Sequence, residues 1–306
     1  MTRALALASD RFAACIDPRH GAEIFSLVDL ERGRNVLAGP PFSPEEPDSA
    51  EIGFEAWVRA YRGGWQLVAP NVGAQCSLNG EEHAFHGRAS TAPWEVESVG
   101  RSETVLTWRG HNLGLRRRIL VDGGGVHVEV EAQALDRPAP LLIAEHVAFG
   151  TEMLDPEATV DVASGRAYEW GGDGPLAPPV GAPLWPEALL LDGGVERVDR
   201  MPEAGPGRLL TVAGVAHGRV RVANGARALA YELTWDHPDW LRHVWLWREE
   251  HAAGGPWRGR ASVLVVEPAT VPHDRGLAHA VESGEARWLE PAETAAYTIS
   301  LRPVES

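Results

Sequence analysis

Polar and apolar positions alternate with period two over short stretches along the chain. Val126, Val128 and Val130 fall on one face, and His127, Glu129 and Glu131 on the other. The same alternation sets Val220 and Val222 against Arg219 and Arg221, and Tyr297, Ile299 and Leu301 against Thr298, Ser300 and Arg302, and it recurs from Leu229 to Trp235. Successive side chains of a strand point to opposite faces, so each stretch predicts a strand with one buried face. Asn79-Gly80, Asp122-Gly123-Gly124-Gly125, Asp192-Gly193-Gly194 and Asn224-Gly225 separate such stretches. These residues readily take the positive φ angles of tight hairpins, which implies antiparallel pairing. No segment of three or more turns carries apolar residues at i, i+3, i+4 and i+7. A short helix near Pro47 to Trp57 is the best helical candidate. The pattern predicts an all-β protein, a large antiparallel β-sandwich with little helix. The Gly/Pro-rich stretch from Gly171 to Pro186 reads as a long surface loop, so residues 1–306 are expected to form one domain.

Composition narrows the chemistry. All 28 basic residues of the 306 are Arg, which excludes Schiff-base, pyridoxal phosphate and P-loop lysine mechanisms. A formal charge of −15 argues against nucleic acid and anionic membranes as partners. The one basic cluster, Arg116, Arg117 and Arg118, lies in a predicted strand and is expected to be a solvated, salt-bridged face. Cys15 and Cys76 match neither a metal-ligand spacing nor a disulfide framework. The apolar run from Ala4 to Ala8 ends at Asp10 and Arg11, too short for a signal-peptide core or a membrane span. A cytoplasmic location is expected. No coiled-coil heptad calls for an obligate partner, so a monomer or a simple homodimer is expected.

Candidate chemistry lies in the aromatic and titratable residues. The chain has 12 Trp, several beside Gly or Pro, such as Trp65, Trp94, Trp185 and Trp257. Singly these are core residues; together the excess tilts towards a concave aromatic cleft for a carbohydrate. His83-x-x-His86 has two metal-ligating side chains, but no third ligand accompanies them in sequence, and no metal is expected. His86 and Arg88 lie on a turn, where side chains converge on ligands. His146 follows Glu145 after the apolar run Leu141 to Ala144, at a strand's buried end. Glu267 follows the apolar Val263-Leu264-Val265-Val266 and precedes Pro268. It either turns out to solvent or is a partly buried carboxylate of raised basicity.

In order along the chain, these pieces resemble the aldose 1-epimerase (galactose mutarotase-like) family. The similar segments are Gly21 to Leu27, Arg62-Gly63-Gly64-Trp65 through Asn71-Val72-Gly73, Phe85-His86-Gly87-Arg88 with Pro93-Trp94-Glu95-Val96, Trp245-Leu246-Trp247, Val266-Glu267-Pro268-Ala269-Thr270, and Leu289 to Thr294. The resemblance implies a galactose mutarotase-like supersandwich and anomer interconversion without a cofactor. It makes Glu267 the general base and His146 the general acid, with His86 helping to bind or polarise the ring oxygen. The family's His-Pro-x-Phe-Asn context is replaced by Glu145-His146-Val147-Ala148-Phe149-Gly150. Asn71, Arg62, Arg88, Trp65, Asp236 and Trp247 are the candidate sugar contacts. An ion pair of Glu267 carboxylate and His146 imidazolium is the expected working state. Two alternatives stand beside this reading: a noncatalytic carbohydrate-binding module on the same fold, or an isomerase or lyase whose Arg62 or Arg88 holds an acidic or phosphorylated sugar.

Overall fold

The computed structural model describes residues 4–45, 51–169, 175–201, 207–237, 239–254 and 256–305. Two antiparallel sheets, of ten and eight strands, hold most of the strands. The eight-stranded sheet runs, in spatial order, through Ala158–Val162, Arg219–Asn224, Leu229–Trp235, Thr294–Pro303, Gly125–Ala134, Leu113–Asp122, Glu103–Gly110 and Glu95–Val99. All four alternating stretches of the sequence belong to it, because one of its faces is wet and the other packs on the larger sheet.

The centre of the ten-stranded sheet is built differently. Trp65–Val68, Ala144–Phe149, Ser262–Ala269 and His243–Glu250 pair in that order, and the second of these is buried at every position. Both faces are covered, so the strands read as continuous apolar runs rather than as alternations. Along Ser262–Ala269, Leu264 and Val266 face the smaller sheet, whereas Val263, Val265, Glu267 and Ala269 face outwards beneath two short helices. These helices span Phe54–Ala60 and Gly276–Glu282. The first starts later than the pattern near Pro47 suggests, and residues 47–50 of that expectation lie outside the described residues. The second is too short to give a periodic signal. Among the described residues, no helix is long and apolar enough to cross a membrane.

The surface loop expected from Gly171 to Pro186 is described from Pro175 onward. Leu176 and Ala182 are buried there, and the chain then pairs Glu187–Leu189 with Val195–Arg197.

The arginine cluster departs from expectation. Arg116 and Arg118 form the surface ion-pair face, with Glu97 and Glu131 and with Glu103 and Glu129. Arg117 points the other way and is completely buried between the sheets. It donates to the Ala22 carbonyl at 2.9 Å and pairs with Glu145 at 3.4 Å. Glu145 also accepts from Trp65 Nε1 and from the Tyr297 hydroxyl, both at 2.6 Å. Burial raises the Glu145 pKa, and Arg117, Tyr297 and Trp65 oppose the rise.

Candidate functional site

Period-two geometry puts the titratable groups on the outer face of the larger sheet. In the strand Ala144–Phe149, Glu145 faces the sandwich core, so His146 faces out. The neighbouring register, Ala144 with Ala269 and Val147 with Val266, sets His146 opposite Glu267. Opposed residues of antiparallel strands have Cβ atoms roughly 4.5–5.5 Å apart. On the far side of Glu267 stands Trp245, and on the far side of His146 stands Gln66. Glu267 is not a solvent-facing strand end: the strand continues to Ala269 and the residue is 3% exposed.

His86 reaches the same place from a turn between the strand Glu81–His83 and the 3₁₀ turn Arg88–Ser90. The turn needs Gly87, whose φ is +68° and where an added Cβ would lie 2.0 Å from the Ala69 carbonyl oxygen. The Gly73 amide donates to His86 Nδ1 at 3.2 Å. A neutral His86 therefore carries its proton on Nε2. The two imidazole centroids are 6.0 Å apart, and the Trp57 ring lies edge-on to both, 4.8 Å from His86 and 5.5 Å from His146.

Around these groups is a cavity of about 360 Å³. Its walls are aromatic, formed by Phe54, Trp57, Phe85, Trp245, Trp247 and Trp257, and its polar groups are His86, His146, Glu267 and Asp274. Glu267 Oε2, His146 Nδ1 and the indole nitrogens of Trp57 and Trp257 are buried with no hydrogen-bond partner among the described residues. Such a lining suits a small ligand that offers flat apolar faces and several hydroxyl groups.

Burial controls the protonation of the pair. It pushes Glu267 up to about 8 and lowers His146 to about 3. His86 is held well below its ordinary value by burial and by the neighbouring His146. At neutral pH the free cavity thus holds a carboxylic acid and two neutral imidazoles. Burial thus favours the neutral form of the pair over the expected ion pair until a ligand is present. The folded state keeps the Glu267 proton where the unfolded chain loses it. The stability this contributes is complete below about pH 4.5 and is lost as pH rises to about 8. Glu267→Gln has no proton to lose. The variant is expected to match wild type near pH 4 and to exceed it by about 4 kcal/mol at pH 8, measured by chemical denaturation across that range.

Of the sequence candidates, the structure brings Glu267, His146, His86 and Trp247 to the cavity. Five others do not line it. Trp65 faces the sandwich core and bonds to Glu145. Arg62 pairs with Asp17 at 2.8 Å. Arg88 is half-buried on the 3₁₀ turn behind His86. Asp236 is exposed and accepts from the Thr298 amide at 2.7 Å in the other sheet. Asn71 is fully buried, and its polar atoms are used within the protein. Its Nδ2 donates to the Ala74 and Ala84 carbonyls at 2.8 and 2.7 Å, and its Oδ1 accepts from the Leu277 amide at 2.6 Å. Asn71 braces the loop behind His86 instead of touching a ligand. Asn71→Ala orphans the Leu277 amide and two carbonyls, so a loss of about 3 kcal/mol is expected, read as a lower urea midpoint at unchanged slope. Trp57, Phe54, Leu209, Pro256 and Asp274 line the cavity without having been singled out from the sequence, Trp245 and Phe85 were quoted only within segments that resemble the family, and Trp257 was noted only as part of the Trp excess.

No family model and no curated relative matches the chain. Solved structures do match along its whole length. A candidate aldose 1-epimerase from Escherichia coli K12 superposes with a TM-score of 0.70 at 13% identity, covering 99% of each chain. A galactose mutarotase-like protein from Lactobacillus casei gives 0.64 at 16%, covering 99% of this chain and 100% of its own. A galactose mutarotase related enzyme from Lactobacillus acidophilus gives 0.66 at 13%, covering 99% and 98%. At such identities the likeness is one of architecture, and this chain has the galactose mutarotase-like fold.

Proposed function

We propose that the chain is a sugar mutarotase that interconverts the α and β anomers of a neutral aldose, with Glu267 and His146 as its acid-base pair. The observation that carries this reading is the placement of Glu267 opposite His146 on the floor of an aromatic cavity, each with a buried polar atom lacking a protein partner. The fold shared with proteins named for mutarotase or aldose 1-epimerase supports it.

Anomer exchange needs one group to take the C1 hydroxyl proton while another protonates the ring oxygen. The C1–O5 bond then breaks, the C1–C2 bond rotates, and reclosure returns both protons. The acid form of Glu267 with neutral His146 holds as many protons as the carboxylate with imidazolium. Moving one proton from Glu267 to His146 therefore reaches the working state without exchange with bulk water. Sugar hydroxyls that donate to the Glu267 oxygens favour that transfer, because hydrogen bonds to the charged form lower a carboxyl pKa. His86 Nε2–H is the donor left for a ring or hydroxyl oxygen. Each positioned acid or base contributes about 10²–10⁴-fold.

The lining residues include two carboxyl groups and no arginine. Arg62 and Arg88, the anchors of the acidic-sugar alternative, lie outside the lining, so neutral sugars are favoured over phosphorylated ones. The test is anomer exchange followed by saturation-transfer NMR on a panel of neutral and phosphorylated aldoses. Catalysed exchange of a neutral aldose is the expected result. Saturable binding with no exchange on any sugar would replace this reading with the noncatalytic one.

A further inference from the structure

Among the described residues, two groups of metal-ligating side chains lie outside the cavity, and they differ in one respect. In the first, His273, His279 and Glu285, the nitrogens of His273 are both used: Nε2 meets Glu285 at 3.0 Å and Nδ1 accepts from the Arg275 amide at 3.3 Å. Its buried histidine therefore has both ring nitrogens satisfied within the protein. In the second, Glu81, His83 and His111, His83 is 5% exposed and its Nδ1 is buried with no hydrogen-bond partner. Leaving such a nitrogen bare costs free energy unless something coordinates or bonds to it.

We propose that Glu81, His83 and His111 form a binding site for a divalent transition-metal ion of the zinc class. The ligand atoms these three residues offer lie within 4.8 Å of one another. Glu81 Oε2 and His111 Nδ1 are 3.3 Å apart. Two ligands at about 2.0–2.2 Å from a tetrahedral ion stand roughly 3.3–3.5 Å from each other, so this edge is already at coordination spacing. The His83 and His111 rings are stacked, with centroids 4.3 Å and planes 27° apart, so one ring has to turn for both to ligate a single ion. The two edges to His83 are at most 4.8 Å long, so closing them takes side-chain shifts of up to about 1.5 Å on two hairpins. The other Glu81 oxygen, Oε1, accepts from Arg137 at 2.6 Å, which orients the carboxylate for monodentate ligation. Two imidazoles and a carboxylate are a donor set for zinc or its neighbours and a poor one for calcium or magnesium.

The site joins two parts of the fold. Glu81 and His83 belong to the hairpin that leads into Phe85 and His86, while His111 sits on the turn between Glu103–Gly110 and Leu113–Asp122 of the other sheet. An ion held there clamps the segment before His86 to the second sheet. His83-x-x-His86 is thus divided: His86 serves the cavity and His83 a separate centre, completed by a residue 28 positions further on. The inference does not depend on the mutarotase reading.

The test is isothermal titration of tag-free, chelator-treated protein with zinc chloride, together with melting curves with and without zinc. Wild type is expected to bind one ion per chain with micromolar or tighter affinity and to melt higher when loaded. His111→Asn tolerates the positive φ of 51° at that turn, and Glu81→Gln is nearly isosteric. Each is expected to lose at least tenfold in affinity, whereas His279→Ala, at the other group, is expected to keep it. Cobalt(II) in place of zinc should give the visible bands of a tetrahedral nitrogen and oxygen site, absent in His111→Asn. Wild type with no stoichiometric binding at about 0.1 mM zinc, roughly 100 times a micromolar Kd, would overturn the proposal. So would affinity unchanged in both variants, or lost only in His279→Ala.

Discussion

Glu267→Gln is expected to lower anomer exchange by about 10²–10⁴-fold while making the protein more stable than wild type at neutral and alkaline pH. The two effects have one cause. The carboxyl group is buried on the floor of the cavity, where burial raises it to about 8. In the folded chain that environment opposes ionisation, which costs stability at neutral pH and keeps a proton in place for transfer. Gln fills the same volume, keeps an oxygen and a nitrogen for sugar hydroxyls, and neither gives nor takes a proton. Sugar affinity should therefore change little while kcat falls, the signature of an interaction made in the transition state. Saturation-transfer NMR for exchange, with urea midpoints at pH 5 and pH 8, measures both parts. A variant that exchanges anomers within tenfold of wild type defeats the catalytic assignment. One that loses exchange because it has unfolded is recognised by its urea curve. In wild type, kcat/KM should fall above about pH 8, when the pair loses the proton it shares between Glu267 and His146.

The sequence carries the fold more fully than it carries the site. Alternation is strong where one face of a strand is wet, as along Gly125–Ala134 and Arg219–Asn224, so four strands of the eight-stranded sheet were legible from it. In the larger sheet, both faces of Ala144–Phe149 and Ser262–Ala269 are covered, and period two disappears from the apolar pattern. What remains visible there is the exception: a Glu or His inside an apolar run has to be neutralised, paired or put to use. That is why Glu267 stood out by itself, whereas the assignment of His146, and the role of each, came from the family resemblance. Of the aromatic walls Trp247 was named, but Trp57, on a seven-residue helix, and Phe85, on a turn, reach the cavity through tertiary placement and were not assigned to it. Asn71 was expected beside the sugar because it lies in the segment that resembles the family's approach to its site. Its side chain instead holds that segment in place.

Arg117 shows a signal that was present but outweighed by composition. Leu113, Leu115, Ile119 and Val121 alternate in its strand, and Arg117 takes the inward place between Leu115 and Ile119. The run of three arginines reads as a charged face only if that alternation is ignored. Because the pair it forms with Glu145 is removed from water, cutting out one partner leaves an uncompensated buried charge. Arg117→Met is expected to destabilise the protein by about 3–5 kcal/mol. Adding Glu145→Gln should recover much of that loss, since an amide oxygen still accepts from Trp65 and Tyr297 without carrying charge. Urea denaturation of wild type, both single variants and the double variant gives the coupling between the two sites. The loss in Arg117→Met should also shrink as pH falls towards 4.5. Glu145 without its arginine stays protonated in the folded state, and the unfolded chain gains less from ionising it as the pH drops. Additive single effects, or a loss independent of pH, would mean that Arg117 acts through packing and its bond to the Ala22 carbonyl. In that case Glu145, directly behind His146 in the strand, would be held by Trp65 and Tyr297 alone.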